Sequence, residues 1–345
     1  MAEGTHFWIG ASTAGALGSA ARGVRPLYVA PDGSAELGEP ADVGPNPMFL
    51  DWSDEVGALA IVHEQADGLV SAWALADGEL RALDGPGRAA GDPCHLTVGP
   101  DGQWLFVANY SGARLTAHFL GQEGPGDAAI TVEYTGSGPN AERQSAPHPH
   151  QAVVDAARGT LLVPDLGADR IHVHPLDAVP TSLAAHRDIV IHAGAGPRHL
   201  VVSGRYAITA NELDRTASIV DLVRSEELGW VPIGTDVAPR GLGCSAIRLT
   251  RTGVVLVGDR DADAVRALRF TADDGEPRLE LVATVATGGR HPRDLQLTHD
   301  ERFLLVADQG SDSIALVALD ARGVPTGVHD TIATEAPACV MRMPD

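Results

Sequence analysis

A short apolar run that ends in a polar residue returns seven times in this chain, at a nearly constant interval. It reads Phe7-Trp8-Ile9-Gly10-Ala11-Ser12, Ala60-Ile61-Val62-His63-Glu64, Leu105-Phe106-Val107-Ala108-Asn109 and Leu161-Leu162-Val163-Pro164-Asp165. It continues as Ala207-Ile208-Thr209-Ala210-Asn211, Val255-Leu256-Val257-Gly258-Asp259 and Leu304-Leu305-Val306-Ala307-Asp308. From Glu64 onward the copies end 45, 56, 46, 48 and 49 residues apart. Runs of this length suit buried strands, and a repeat of roughly 40–50 residues is the period of a β-propeller blade. The pattern predicts an all-β chain, a seven-bladed β-propeller in a single domain over residues 1–345.

Two further runs accompany each copy. A preceding one, usually opened by proline, reads Pro47-Met48-Phe49-Leu50, Pro93-Cys94-His95-Leu96, Pro149-His150-Gln151-Ala152 and Pro197-Arg198-His199-Leu200. Its later copies are Cys244-Ser245-Ala246-Ile247, Pro292-Arg293-Asp294-Leu295 and Pro337-Ala338-Cys339-Val340. A following one is seen at Arg114–Leu120, Arg170–Leu176, Ala217–Leu222, Ala264–Phe270 and Ser313–Leu319. The last preceding run sits at the C-terminus with no copy after it, and Phe7–Ser12 has none before it. Pairing these two segments removes two free sheet edges and predicts a ring closed between the chain ends. No stretch shows a sustained helical period. The segment 121–147, rich in Gly and Pro, accounts for the 56-residue interval and is expected as a lid over one rim.

The stretch Gly194–Leu213 shows where chemistry is expected. Two β-like runs flank Ser203-Gly204-Arg205, a hairpin signal, so residues just before the first run and just after the second share one end. Arg198, His199, Asn211 and Glu212 stand there. Aligning the preceding runs gives one column of Met48, Cys94, His150, Arg198, Ser245, Arg293 and Ala338, and a second of Phe49, His95, Gln151, His199, Ala246, Asp294 and Cys339. The ends of the central runs add Glu64, Asn109, Asp165, Glu212, Arg260 and Gln309. Three guanidiniums, an imidazole and a carboxylate directed to one funnel suit an anionic small molecule and a proton-transfer pair. The polar ends Asn109, Asp165, Asp259 and Asp308 read as structural hydrogen-bonding groups. Cys94 reads as a small buried residue, and His172 and His174 as exposed strand histidines despite their metal-like spacing.

Composition narrows the partners. The net charge is −21 and all 25 basic residues are arginine, which disfavours nucleic acid. No apolar run approaches the roughly 18 residues of a membrane helix, and the N-terminus lacks the basic region of a signal peptide. Three widely spaced cysteines argue against a disulfide framework and a zinc cluster. The expectation is a cytoplasmic monomer or weak homodimer with no cofactor and no metal.

Pro147-His148-Pro149-His150, Gly194-Ala195-Gly196-Pro197-Arg198-His199, Asn211-Glu212-Leu213, Pro292-Arg293-Asp294 and the loop Gly136-Ser137-Gly138-Pro139 to Glu142-Arg143-Gln144 resemble the motifs of a known family. It is the bacterial lactonase family of seven-bladed propellers, which includes propeller-type 6-phosphogluconolactonases and fungal carboxymuconate cycloisomerases. The resemblance covers essentially the whole chain. It implies an active site of Glu212, His150, Arg198 and Arg260 or Arg293 without a metal. Glu212, His150 and Arg198 are the expected catalytic residues, and Arg293, Arg260, His199, Arg143 and His95 the expected substrate contacts. Three functions stay open: hydrolysis of a sugar lactone such as 6-phosphogluconolactone, cycloisomerisation of a carboxylated substrate, and ligand binding without catalysis. Fold alone does not choose among them.

Overall fold

The computed structural model describes residues 4–14, 21–177, 180, 183, 186–238, 240–272 and 276–344. Their strands form seven antiparallel sheets, and the helical content among them is one 3-10 turn, Gln309–Ser311. The chain divides into two compact units, residues 43–198 and residues 1–42 with 199–345.

The unit 43–198 holds three blades. Blade 1 has strands Pro47–Ser53, Ala58–His63, Leu69–Ala76 and Glu79–Ala82; blade 2 has Pro93–Val98, Trp104–Asn109, Arg114–Gly121 and Ile130–Glu133. Blade 3 has Val153–Asp155, Thr160–Asp165, Arg170–Pro175 and Arg187–Val190. In the other unit, blade 5 has Cys244–Leu249, Val254–Asp259, Ala264–Thr271 and Arg278–Ala286; blade 6 has Pro292–Leu297, Phe303–Asp308, Ser313–Leu319 and Pro325–Ala333. Blade 4, Pro197–Ser203, Tyr206–Asn211, Thr216–Asp221 and Glu226–Pro232, belongs to this unit except for its first two residues. Blade 7 takes its first strand, Pro337–Arg342, from the C-terminus and the rest, Thr5–Ala11, Arg25–Val29 and Ala35–Leu37, from the N-terminus. Phe7 lies opposite Arg342 and Ile9 opposite Val340. The closure expected from the unpaired runs is present.

The second strands are apolar throughout because both faces of each sheet are covered. Tyr206–Asn211, Val254–Asp259 and Phe303–Asp308 are buried at every position. The core lies between successive sheets: Ile208, Ala210 and Ile219 of blade 4 pack with Ile247, Val255 and Val257 of blade 5. Leu256 and Val265 of blade 5 likewise meet Leu304 and Val306 of blade 6. Fourth strands have one dry face, and Glu226–Pro232 alternates between exposed and half-buried.

The first strands share a defect with a purpose. Register slips by one between Pro47 and Phe49, Pro292 and Asp294, and Gly10 and Ala11, and between Ala108 and Asn109 opposite Cys94. Pro149 bridges Asp165 whereas Val153 pairs Leu162, the same slip in blade 3. The extra residues are Met48, Arg293, Ala338, Cys94 and, within 150–152, the segment beginning at His150. A bulge re-aims a side chain that the pleat would otherwise alternate. In these five blades the first sequence column is thus the bulge column.

The second column has other duties. Asp294 accepts from Arg248 at 3.2 Å and from the Val340 amide at 2.9 Å. The His95 ring lies 3.9 Å from that of Phe49, and its Nδ1 is 3.4 Å from the Ala152 amide. These side chains tie neighbouring first strands together.

The turn after each second strand also repeats. Asn109 pairs Arg114, Asp165 pairs Arg170, Asn211 pairs Thr216, Asp259 pairs Ala264 and Asp308 pairs Ser313. The residue closing each turn, Ala113, Asp169, Arg215, Asp263 or Asp312, is left-handed. This register corrects one alignment: Asn109 and Asp165 match Asn211, not Glu212, and the positions equivalent to Glu212 are Tyr110, Leu166, Arg260 and Gln309. The strand-end groups hydrogen-bond within their own blade, Asn109 to Thr116, Asp165 to His172, Asn211 to Ser218 and Asp259 to Arg266.

Blade 6 breaks this pattern, because Ala315 stands where the others carry the partner. Asp308 is left with Thr287 on one oxygen at 2.9 Å, while its Oδ2 is buried with no hydrogen-bond partner among the described residues. Burial, against the Thr287 bond and with help from the charge of Asp263, raises its pKa from 3.8 to about 7. The folded state therefore holds a proton that the unfolded chain releases, and stability falls as pH rises from about 4 to about 7. Asp308→Asn, the amide that blades 2 and 4 already use, is expected to raise Tm at pH 8 and flatten that decline. The gain should be about 2–4 kcal/mol. An unchanged or lower Tm at pH 8 would contradict it.

Candidate functional site

Two groups of polar side chains stand at the bulges and turns, one within each unit. In the unit containing blades 5–7, Glu212 follows the second strand of blade 4 and Arg260 the second strand of blade 5. Arg260 Nη2 lies 2.7 Å from Glu212 Oε2, with both side chains under a tenth exposed. The guanidinium also donates to the carbonyls of Cys244 at 2.8 Å and Gly243 at 3.5 Å. Gly243 has φ +66°, and a Cβ there would sit 1.8 Å from the Glu212 carbonyl oxygen. Only glycine lets the entry segment of blade 5 pass this close to Glu212. Arg260, expected as a substrate contact, has its guanidinium engaged by Glu212 and by these two carbonyls.

Blade 5 places Ser245 in its first strand, where the hydroxyl donates to the Pro292 carbonyl. Arg293 stands half-buried at the bulge of blade 6.

In the unit 43–198 the second group gathers around Tyr110, the turn residue of blade 2 that the misaligned register had hidden. Its ring stacks on His148 at 4.3 Å and meets His150 edge-on at 5.5 Å. Arg143 Nη2 donates to the Tyr110 hydroxyl at 3.3 Å, and His148 Nδ1 to the Tyr110 carbonyl at 3.0 Å. Cys94 Sγ lies 3.7 Å from His150 Nδ1 and within 3.7 Å of the carbonyls of Ala108, Pro149 and His150. The thiol faces His150. Tyr110 directly follows the strand-end Asn109 and stands three residues before the left-handed Ala113.

Arg198 is buried in the first strand of blade 4, and His199 beside it is equally buried. The loop that delivers them hangs on Asp169. That carboxylate accepts the amides of Gly194 at 2.7 Å and Gly196 at 2.8 Å, and the Gln144 side-chain amide at 2.7 Å. Both glycines have positive φ, +84° and +64°, which explains their spacing before Pro197-Arg198. Gln144 is fully buried and also donates to the Leu166 carbonyl. The segment expected as a lid is therefore built in: Ile130–Glu133 is the fourth strand of blade 2, and 138–144 is pinned to blade 3.

Asp169→Ala should remove three hydrogen bonds to a carboxylate, each worth roughly 1.5–3 kcal/mol. The expected outcome is a Tm lower by several degrees and weaker activity. Asp169→Asn should recover only part of both, since its nitrogen cannot accept. Wild-type Tm and kcat/KM in Asp169→Ala would remove Asp169 from this role.

Comparisons with known proteins agree with this arrangement of blades. The 6-phosphogluconolactonase of Bacillus subtilis (strain 168) is 28% identical over 327 residues, covering 89% of this chain and 88% of its own. That of Erwinia tasmaniensis is 27% identical over 307 residues, covering 86% and 81%. The solved structure of the Pseudomonas aeruginosa periplasmic gluconolactonase, 22% identical, superposes with a TM-score of 0.85 over 99% of both chains, a likeness of fold. A sequence model of the family described as lactonase, 7-bladed β-propeller, matches residues 6–342. With that match over nearly its whole length, the chain belongs to the lactonase family of seven-bladed β-propellers.

Proposed function

We propose that this protein is a lactonase that hydrolyses a sugar-derived lactone, with 6-phosphogluconolactone as substrate and 6-phosphogluconate as product. The observation that carries the reading is the buried Glu212 carboxylate held 2.7 Å from Arg260, in a chain whose relatives bear that activity's name. In this reading Glu212 takes a proton from water, whose oxygen adds to the lactone carbonyl carbon. Arg198 stabilises the oxyanion; one such donor is typically worth roughly 3–4 kcal/mol. The ring C–O bond then breaks, and His150 returns a proton to the leaving alkoxide. Arg293 holds the phosphate. Arg143 positions Tyr110 beside His150, and His199 and His95 serve strand packing. No metal enters the reaction.

We place the enzyme in the cytoplasm. The support is chemical: all three cysteines are buried and free, as in a reducing compartment, and no helix of the described residues is long and apolar enough to cross a membrane. The proposed partner is the anionic lactone alone, with the chain a monomer or weak homodimer.

NMR of the products after incubation with 6-phosphogluconolactone and, separately, a carboxylated muconate tests the reading. Ring opening of the first above its spontaneous rate supports it. Cyclisation of the second alone would assign an isomerase, and inertness toward both would assign binding. Within the reading, Arg293→Ala is expected mainly to raise KM, because its contact with phosphate is equal in ground and transition states; an unchanged KM would take Arg293 out of the site.

A further inference from the structure

Blade 3 carries a cluster that the proposed reaction does not use. His172 lies opposite Asp188 across the antiparallel pair Arg170–Pro175 and Arg187–Val190. His174 is two residues beyond His172, and His186 two residues before Asp188, so all four side chains leave the ladder on one face. Tyr134 covers them: its ring stacks on His172 at 3.9 Å, meets His186 edge-on at 5.6 Å, and its hydroxyl lies 2.7 Å from His174 Nε2. His172 and His174 are 1% and 0% exposed, so the expectation of exposed strand histidines fails here. His174 has both nitrogens engaged, by Tyr134 and the Leu183 carbonyl.

His172 is placed between two carboxylates, Nε2 at 3.1 Å from Asp165 Oδ2 and Nδ1 at 2.7 Å from Asp188 Oδ1. Such an imidazole either carries a second proton or keeps one N–H toward the first carboxylate and shares a cation with the second. A metal-bound histidine commonly donates its other N–H to a carboxylate, which sets the tautomer and the ring orientation. Asp165, fully buried, is that partner. Arg170 Nη1 holds the far oxygen of Asp188 at 2.6 Å, leaving Oδ1 to face the imidazoles. His186 Nε2 is 3.6 Å from that same oxygen, and its Nδ1 is buried with no hydrogen-bond partner among the described residues. The ligating atoms of His172, His186 and Asp188 lie within 4.8 Å of one another. Zinc bonds of about 2.0–2.2 Å in a tetrahedron need such atoms roughly 3.3–3.5 Å apart, so His172 Nδ1 and Asp188 Oδ1 have to part from their 2.7 Å hydrogen bond while His186, 3.6 Å from the same oxygen, swings towards His172.

We propose that blade 3 binds a divalent transition metal, zinc by its donor set, through His172 Nδ1, His186 Nε2 and Asp188 Oδ1, with water as fourth ligand. Two imidazoles and one carboxylate suit zinc; calcium and magnesium favour all-oxygen sites. The ion takes the place of the proton between His172 and Asp188, and a quarter-exposed His186 side chain gives it an entry path. Its effect is to clamp the Arg170–Pro175 strand to His186 and Asp188.

The full chain, stripped with a chelator and desalted, is titrated with zinc chloride by calorimetry and followed by thermal unfolding. One zinc per chain is expected, with a rise in Tm that chelator reverses, and cobalt(II) should give the visible bands of a tetrahedral ion. His186→Ala, at a partly exposed position, should bind zinc roughly 100-fold more weakly while keeping the metal-free Tm. His299→Ala, remote in sequence and outside the cluster, should bind as wild type. Asp188→Asn should match His186→Ala; if it unfolds, His186→Ala decides alone. No saturable zinc binding by the wild type, or undiminished binding by His186→Ala, overturns the site.

Discussion

Glu212→Gln is expected to lower kcat by roughly 10²–10⁴-fold, the usual contribution of a positioned general base, with KM little changed. The amide keeps the shape of the side chain and an oxygen for Arg260 Nη2, now 2.7 Å from the carboxylate, so the pocket wall should stand. What it loses is the ability to accept a proton from water. Because that acceptance occurs only on the way to the transition state, kcat and kcat/KM should fall together. The Arg260 guanidinium retains the Gly243 and Cys244 carbonyls but not a full counter-charge, and a modest drop in Tm should accompany the loss. Measuring Tm beside the kinetics separates the two effects. Full kcat in a folded Glu212→Gln protein would place the base elsewhere, with His150 next in line. Arg260→Ala provides the complementary test: a residue that acts through Glu212 should cost kcat in the wild-type background and little in the Glu212→Gln background.

Deleting residues 337–345 is expected to abolish cooperative folding. The segment supplies the first strand of blade 7, and Pro337–Met341 are all buried. Its loss uncovers Ile9 and Phe7 on one side and removes Val340 from the cluster that joins blades 6 and 7. It also strips Asp294 of the Val340 amide, leaving a buried carboxylate with Arg248 alone. Full burial of one Val- or Met-sized side chain is worth roughly 1.5–3 kcal/mol, and several go at once, against a total stability of about 5–15 kcal/mol. Val340→Asp puts the same claim without shortening the chain, and a peptide of residues 337–345 added to the truncated protein should restore a transition. An unaltered Tm after truncation would show that the strand is dispensable.

The candidate site was legible where chemistry coincides with the repeat. His150, Arg198 and Arg293 are proposed because they interrupt a column that also holds Met48, Cys94 and Ala338, and Glu212 because the hairpin places it at the same end as Arg198. Tyr110 does not stand out because the strand-end Asn109 is aligned with Glu212, which lies one residue past its own strand, and an aromatic in a turn raises no signal of its own. Asp169 was missed for a different reason: its partners are the Gly194 and Gly196 amides and the Gln144 side chain, and a backbone amide has no sequence signature. His95 lies in the second column, next to the bulge residue Cys94, and its ring packs on Phe49, a placement that strand alternation counted without the bulge does not give.

The fold follows from the sequence alone, because a buried strand must be apolar along its length and a blade needs a fixed number of residues to cross and return. Seven copies at one period leave few arrangements, and the two unpartnered end segments can be satisfied only by each other. Tertiary structure decided what local pattern cannot carry. The one-residue slip in the first strands depends on pairing across the ladder, and it determines which of two adjacent side chains is re-aimed. The burial of His172 and His174 depends on Tyr134, 38 residues earlier than His172. The unpartnered Oδ2 of Asp308 depends on Ala315 in the neighbouring strand. Each is a property of contacts between strands, and no residue taken alone contains it.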